Sequence, residues 1–181
     1  GDIHLEGKTL EKIESALNQS IDRIIEERCR IVVCNGDVFH RGNISDRHAS
    51  VGTLQAVFSR GLERLAESVS YIYVVRGNHD DVGATQGHAL SFLEYFPMLK
   101  NATVKVIDTP CIERITIDGI DLKLGFIPWI NKTRFIAKQC VGLSKEESQS
   151  KFNDATERML GIFDFGPETV NLLFGHCEIV G

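Results

Sequence analysis

One stretch decides the fold of this chain, Ile31-Val32-Val33-Cys34-Asn35-Gly36-Asp37-Val38-Phe39-His40. Its first four residues form a short apolar run, which is typical of a strand buried on both faces of a parallel sheet. The Gly-Asp pair that follows marks the end of that strand. In open α/β sheets, ligand sites lie beyond the carboxyl ends of the strands. The stretch therefore predicts an α/β fold with a polar site at the end of this strand.

Helical and strand patterns alternate on both sides of this stretch. Apolar residues recur at helical spacing over residues 10–24, before the strand, and again over residues 51–65, after it. A second buried strand is predicted at Tyr71–Val75. Helices that alternate with buried strands indicate βαβ units, so we expect a largely parallel sheet.

The second half of the chain has a different pattern. A strand is predicted at Thr103–Ile107, and apolar residues alternate on both sides of Asp118-Gly119, a dipeptide typical of β-hairpin turns. Ser144 and Glu147 have the spacing of a capping box, which predicts a helix that begins there. A last strand is predicted at Val170–Phe174.

Composition restricts the class of protein. The chain has 181 residues, of which 43 % are hydrophobic, and we expect a single domain over residues 1–181. The net charge of −5 gives no sign of a nucleic-acid partner and counts against one. Five cysteines without a C-x-x-C pair argue against a disulfide framework and favour the cytoplasm. No apolar run is long enough to predict a membrane span.

Four polar clusters carry the chemistry, and four of the six histidines lie in them. Three of the clusters follow an apolar strand that is visible in the sequence. We therefore expect residues from different strand ends to meet in one crevice. In chain order the clusters are Asp2-Ile3-His4, Gly36-Asp37-Val38-Phe39-His40, Gly77-Asn78-His79-Asp80 and Gly175-His176.

These residue types predict a transition-metal site. Carboxylate, imidazole and amide oxygen together suit Mn²⁺, Fe or Zn²⁺ better than Ca²⁺. Two ions held about 3.5–4 Å apart need a bridging carboxylate, and Asp37 is the best candidate for it. Asp80 directly follows His79, so we expect its carboxylate to orient the imidazole and to contribute to catalysis.

The ordered motifs D-x-H, G-D-x-x-H, G-N-H-D and G-H resemble the signature of the calcineurin-like metallophosphoesterase superfamily. The resemblance implies a four-layer α/β/β/α sandwich and two divalent metal ions, for which we expect Mn²⁺. It also implies that His79 binds phosphate and protonates the leaving oxygen. The implied ligands are Asp2, His4 and Asp37 for one ion, and Asp37, Asn78 and His176 for the other.

The resemblance leads to an expectation about both ends of the domain. Family members have a strand before the D-x-H motif and a G-x-H motif after the G-H motif. The sequence begins at Gly1 and stops at Gly181 without either. We therefore expect a catalytic domain that is truncated at both ends.

Within the superfamily, Asp37-Val38-Phe39-His40 resembles the SbcD-type DNA repair nucleases, which include phage recombination endonuclease subunits. Leu124–Trp129 is similar to a strand of those proteins. This resemblance implies a DNA exonuclease and endonuclease in which His40 assists catalysis. It also implies an SbcC-type ATPase partner, a homodimer and, for a phage protein, the host cytoplasm.

Two alternatives stay open. His40-Arg41-Gly42 is similar to the D-R-G motif of phosphoprotein phosphatases, in which the arginine binds phosphate. Arg41 is therefore a candidate substrate-binding residue, and a phosphatase or a small-molecule phosphodiesterase is an alternative function. A non-catalytic binding module is the other alternative. The presence of Asn78 and His79 argues against it.

Overall fold

The computed structural model describes residues 3–41, 48–81, 89–95, 98–167 and 169–177. Four α-helices are present in these ranges: α1 (Leu10–Glu26), α2 (Val51–Leu65), α3 (Lys132–Gln139) and α4 (Lys145–Leu160). The strands are β1 (Ile31–Asn35), β2 (Tyr71–Val75), β3 (Met98–Leu99), β4 (Ala102–Ile107), β5 (Cys111–Ile117), β6 (Ile120–Ile127) and β7 (Val170–Gly175). None of the described helices is long and apolar enough to cross a bilayer.

The first sheet confirms the parallel arrangement that the sequence predicts. Its strand order is β1-β2-β4-β3, and β1, β2 and β4 run parallel. The short β3 pairs with β4 in the antiparallel direction. Because β1 and β2 are parallel and in register, the loops that follow them leave the sheet at the same edge. This register brings the second and third polar clusters together.

Helices α1 and α2 cover one face of the first sheet. Ser50 caps α2, because its hydroxyl accepts a hydrogen bond from the backbone N–H of Thr53 at 3.2 Å. The apolar stripe of α2 packs with Ile21 of α1 against Ile72 and Val74 of β2 in one buried cluster. Burial of such stripes, at about 25 cal/mol per Å² of apolar surface, is the main contribution to holding this layer in place.

The second sheet has the order β5-β6-β7 and contains the predicted hairpin. Strands β5 and β6 are antiparallel, with Ile117 opposite Ile120 across the turn. Asp118 and Gly119, the two central residues of the turn, have φ values of 52° and 82°. Positive φ at both positions is the requirement of a type I′ turn, which explains the Asp-Gly pair. Strand β7 returns parallel to β6.

The two sheets pack face to face. Tyr73, Val75 and Ile107 of the first sheet form a buried cluster with Leu124 and Phe126 of the second. The rings of Tyr73 and Phe126 have centroids 4.8 Å apart. In the described part of the chain, these contacts show a mixed α/β architecture in which α1 and α2 cover the first sheet and the second sheet packs on its other face. The second helical layer of the expected sandwich stays a prediction.

The sequence predicts one of the two helices in the second half of the chain, α4, and does not predict the other, α3. The capping box that opens α4 is present, with both the Ser144 and the Glu147 hydrogen bonds formed. Helix α3 was not predicted from the sequence. It begins after Asn131, whose side chain caps it by accepting from the backbone N–H of Arg134 at 2.8 Å.

Candidate metal centre

The second cluster turns sharply at the end of β1. Gly36 and Asp37 both have positive φ, 92° and 49°. This turn exposes the carbonyl of Asp37, which accepts hydrogen bonds from the backbone N–H groups of Ile3 and His4, each at 2.9 Å. The backbone N–H of Leu5 donates a further hydrogen bond to the carbonyl of Val38 at 2.8 Å. The described part of the first cluster is thereby held beside Asp37.

The carboxylate of Asp37 lies at the centre of the site and is only 4 % exposed. Its Oδ1 accepts a hydrogen bond from the backbone N–H of His79 at 2.8 Å. Its Oδ2 lies 3.7 Å from Nε2 of His4 and 3.4 Å from Nε2 of His176. One carboxylate oxygen thus faces imidazoles from two different clusters, which is the arrangement that a bridging ligand requires.

His176 is held in one tautomer by the chain itself. Its Nδ1 lies 2.9 Å from the backbone carbonyl of Asn35, which can only accept, so Nδ1 carries the hydrogen. In the neutral ring, Nε2 then has a lone pair, and it lies 2.9 Å from the side-chain oxygen of Asn78. The same nitrogen is the one that faces Oδ2 of Asp37.

Three electron pairs therefore converge on one point, from the nitrogen of His176 and from the side-chain oxygens of Asp37 and Asn78. Electron pairs in this arrangement repel one another unless a cation lies between them. Imidazole, carboxylate and amide oxygen are donors that a divalent transition-metal ion accepts. The donor set therefore fits the second of the two implied ions.

Two glycines make the close approach of these groups feasible. A Cβ atom on Gly36 would lie 2.0 Å from Nδ1 of His176, and one on Gly77 would lie 2.1 Å from Oδ1 of Asp37. Any larger residue at either position would occupy the space of a proposed ligand. The glycines of the G-D and G-N-H motifs are therefore steric requirements of the site.

Three imidazoles line the other side of the site. The potential ligand atoms of His4, His40 and His79 all lie within 4.8 Å of one another. Nδ1 of His79 lies 2.5 Å from the backbone carbonyl of His40, so Nδ1 is the donor and Nε2 is left for other partners. In addition, Nδ1 of His4 is buried and has no hydrogen-bond partner among the residues that the structure describes.

Asp80 does not have the partner that the sequence suggests. It is fully buried, and its carboxylate accepts from the backbone N–H groups of Phe39 at 3.1 Å and Gly77 at 2.9 Å. Burial raises the pKa of this carboxyl group, and these hydrogen bonds partly oppose the shift. The ring of His79 is held by the His40 carbonyl instead, so the expectation that Asp80 orients this imidazole is corrected. Through these two hydrogen bonds, Asp80 connects the second polar cluster, which contains Phe39, to the third, which contains Gly77.

An open cleft of about 410 Å³ lies over the site. Arg41, the predicted phosphate-binding residue, lines it together with His40, Asn78, His79 and Asp81. Asp2, a predicted ligand, lies outside the described residues. The structure adds Glu6, which sequence reasoning missed. Its Oε2 is 3.8 Å from Nε2 of His40 at the edge of the cleft.

Comparison with known protein families supports the same conclusion. The family model described as calcineurin-like phosphoesterase matches residues 1–180, a range that contains all four clusters. No curated protein gives a significant match to the chain. The family match confirms the superfamily that the ordered motifs predicted. Which group of the superfamily the chain resembles most stays a prediction.

Proposed function

The chain belongs to the calcineurin-like phosphoesterase family, a family of metal-dependent hydrolases, and we propose that this member cleaves phosphodiester bonds in DNA. The observation that carries the proposal is the position of Asp37. One of its oxygens faces His4 on one side and His176 on the other, while the second oxygen is used by the backbone of His79. The single buried carboxylate of Asp37 can thus act as a ligand together with His4 and also together with His176.

In this proposal the two groups hold two divalent ions, with Mn²⁺ as the expected metal. Bound in such a site, two ions activate a water molecule and stabilise the charge on the phosphate oxygens. The backbone carbonyl of Asn35 fixes the His176 ring so that Nε2 faces Asn78 and Asp37, where it would be available to hold an ion. The ligands are Asp2, His4 and Asp37 for one ion and Asp37, Asn78 and His176 for the other.

His79 is the proposed general acid. Its Nδ1 donates to the carbonyl of His40, so Nε2 is the atom that can transfer a proton to the leaving oxygen. Its backbone N–H is fixed by Asp37, which sets the distance between the acid and the metal ligands. Asp80 acts through these loops by holding Gly77 and Phe39 in position.

The open shape of the cleft and the position of His40 support a nucleic-acid substrate. The ring of His40 lies at the edge of the cleft, with its centroid 5.7 Å from that of His79. A long chain needs such an open approach, whereas a small metabolite is usually enclosed. The proposal includes the remaining implications of the resemblance: DNA repair or recombination, an SbcC-type ATPase partner, a homodimer in the cytoplasm, and the four-layer sandwich.

A phosphoprotein phosphatase is the second candidate, because Arg41 lines the same cleft. Arginine binds phosphate monoesters in a bidentate manner, and this would favour a phosphorylated side chain as substrate. The two candidates differ in whether the bond that is cleaved is a phosphodiester or a phosphomonoester.

One experiment separates the two candidates. The protein is incubated with Mn²⁺ and, in parallel, with linear duplex DNA, circular single-stranded DNA and a phosphopeptide. We expect cleavage of both DNA substrates, and we expect that His40→Ser weakens exonuclease activity on duplex ends more than endonuclease activity on the circle. His48→Ser, at an exposed histidine outside the four clusters, is the control. Robust phosphopeptide hydrolysis without DNA cleavage would favour the phosphatase.

A further inference from the structure

The loop that carries Asn78 and His79 is attached to the segment from Trp129 to Arg134, which contains none of the four polar clusters. On its N-terminal side, Arg76 and Trp129 make two reciprocal hydrogen bonds. The backbone N–H of Trp129 donates to the carbonyl of Arg76 at 2.8 Å, and Nη2 of Arg76 donates to the carbonyl of Trp129, also at 2.8 Å. The loop therefore begins from a point that is fixed to the end of β6.

On its C-terminal side, the loop is fixed through Asp81. Both carboxylate oxygens of Asp81 are used: Oδ1 accepts from Nη2 of Arg134 at 2.7 Å, and Oδ2 accepts from Nδ2 of Asn131 at 2.7 Å. Asn131 is also the N-cap of α3, so the first turn of this helix and the carboxylate fix each other. The side chains of Asp81 and Arg134 are only 5 % and 19 % exposed.

We infer that Asp81 and Arg134 are a positioning pair, which holds the loop of Asn78 and His79 in the geometry needed for hydrolysis. This inference rests on the proposed function of that loop. The segment from Trp129 to Arg134 binds the loop on both sides of its functional residues, at Arg76 before them and at Asp81 after them. A loop fixed at both ends loses less conformational freedom when it binds metal and substrate.

The pair has an electrostatic role as well. Asp81 lines the same cleft as His79, so its negative charge lies near the place where a phosphate would bind. Arg134 neutralises this charge in a partly buried setting, where the interaction is stronger than at the surface. Without the arginine, the carboxylate would repel the substrate. Loss of Arg134 should therefore affect substrate affinity as well as turnover.

The matched control for Arg134 is Arg64, whose guanidinium also donates to an aspartate. Its guanidinium donates to Asn18 at 2.6 Å and to Asp22 at 2.5 Å, and it joins α2 to α1. The variants are therefore Arg134→Met and Arg64→Met. Unfolding free energies of both are measured first, so that a general loss of stability is known for each.

The first measurement needs neither metal nor substrate. Hydrogen exchange is followed in the metal-free protein at the amides of Gly77 and His79, which donate to Asp80 and Asp37. Because a charge-assisted hydrogen bond is lost, Arg134→Met should speed exchange at these two amides by about tenfold. Arg64→Met should leave them unchanged. Equal exchange in the two variants would overturn the inference, whatever the enzyme hydrolyses.

The second measurement is of kinetics with Mn²⁺ and a DNA substrate. Arg134→Met should lower kcat/KM by about 10–100-fold, the range known for residues that orient metal ligands, with part of the loss in KM. The double variant Asp81→Asn/Arg134→Met removes the uncompensated charge, so it should recover KM but not kcat. A double variant with the same KM as Arg134→Met would contradict the electrostatic role. If the unchanged protein cleaves no phosphoester, the proposed function fails, and the exchange result still decides the positioning role.

Discussion

The imidazole ring of His176 occupies the space that a side chain on Gly36 would fill. A Cβ atom at that position would lie 2.0 Å from Nδ1 and 2.5 Å from Cγ of the ring. The two residues are far apart in the sequence, and they come together because the strands that precede them end at the same site. Because Gly36 has no side chain, the His176 ring packs directly against its backbone. This contact directs Nε2 of His176 toward Asp37.

Gly36→Ala should therefore displace a metal ligand. We expect Mn²⁺ affinity to fall by about 10–100-fold, because a ligand that loses its orientation binds metal more weakly. Isothermal titration calorimetry with Mn²⁺ measures the change. The matched control is Gly119→Ala, since Gly119 also has positive φ (82°) but no atom of the described residues lies within 4 Å of its added Cβ. Equal Mn²⁺ affinities in the two variants would show that His176 is not held by this contact.

Asp80→Ala should destabilise the loops that form the site. The substitution leaves the buried N–H groups of Phe39 and Gly77 without their acceptor. Each unsatisfied buried donor costs about 1–3 kcal/mol, so the free energy of unfolding should fall clearly in a urea titration. Asp154→Ala, at an exposed site on α4, should change it by less than about 0.5 kcal/mol. A stability of Asp80→Ala equal to that of the control would contradict the structural role of this carboxylate.

His79→Ala should reduce turnover and retain the metal. A general acid contributes about 10²–10⁴-fold to rate, and a loss of kcat in that range is expected. Metal content, measured by elemental analysis after dialysis, should stay near that of the unchanged protein. His48→Ala is the control for removal of an exposed imidazole. Loss of bound metal from His79→Ala would instead make this residue a ligand, together with His4 and His40, to which it lies close.

The strands and the residues at their ends could be predicted because the signals are local. The apolar run 31–34 followed by Gly36-Asp37 is informative by itself, and so is the Asp118-Gly119 turn. Because β1 and β2 are parallel, the loops of Asp37 and Asn78 lie at one edge of the first sheet. His176 follows β7 of the second sheet, and it reaches both residues because the two sheets pack face to face. The family resemblance supplied the assignment of ligands to individual ions.

The parts that were missed depend on contacts between distant segments. Asp80 adjoins His79 in sequence, but the loop turns its carboxylate into the core, away from the imidazole. The partner of the His79 ring is a backbone carbonyl, which no residue type reveals. Helix α3 has only eight residues, and its N-cap, Asn131, also donates a hydrogen bond to Asp81. Short helices have weak periodicity, so the apolar pattern of these eight residues does not predict α3.

The most direct test of the central claim is an anomalous difference map from crystals of the protein grown with Mn²⁺. The account predicts a Mn²⁺ peak within bonding distance of Oδ2 of Asp37, the side-chain oxygen of Asn78 and Nε2 of His176, where three electron pairs converge. It also predicts a second peak on the other side of Asp37, next to His4. A map with no peak beside Asp37, or with one ion held only by His4, His40 and His79, would contradict the dimetal centre.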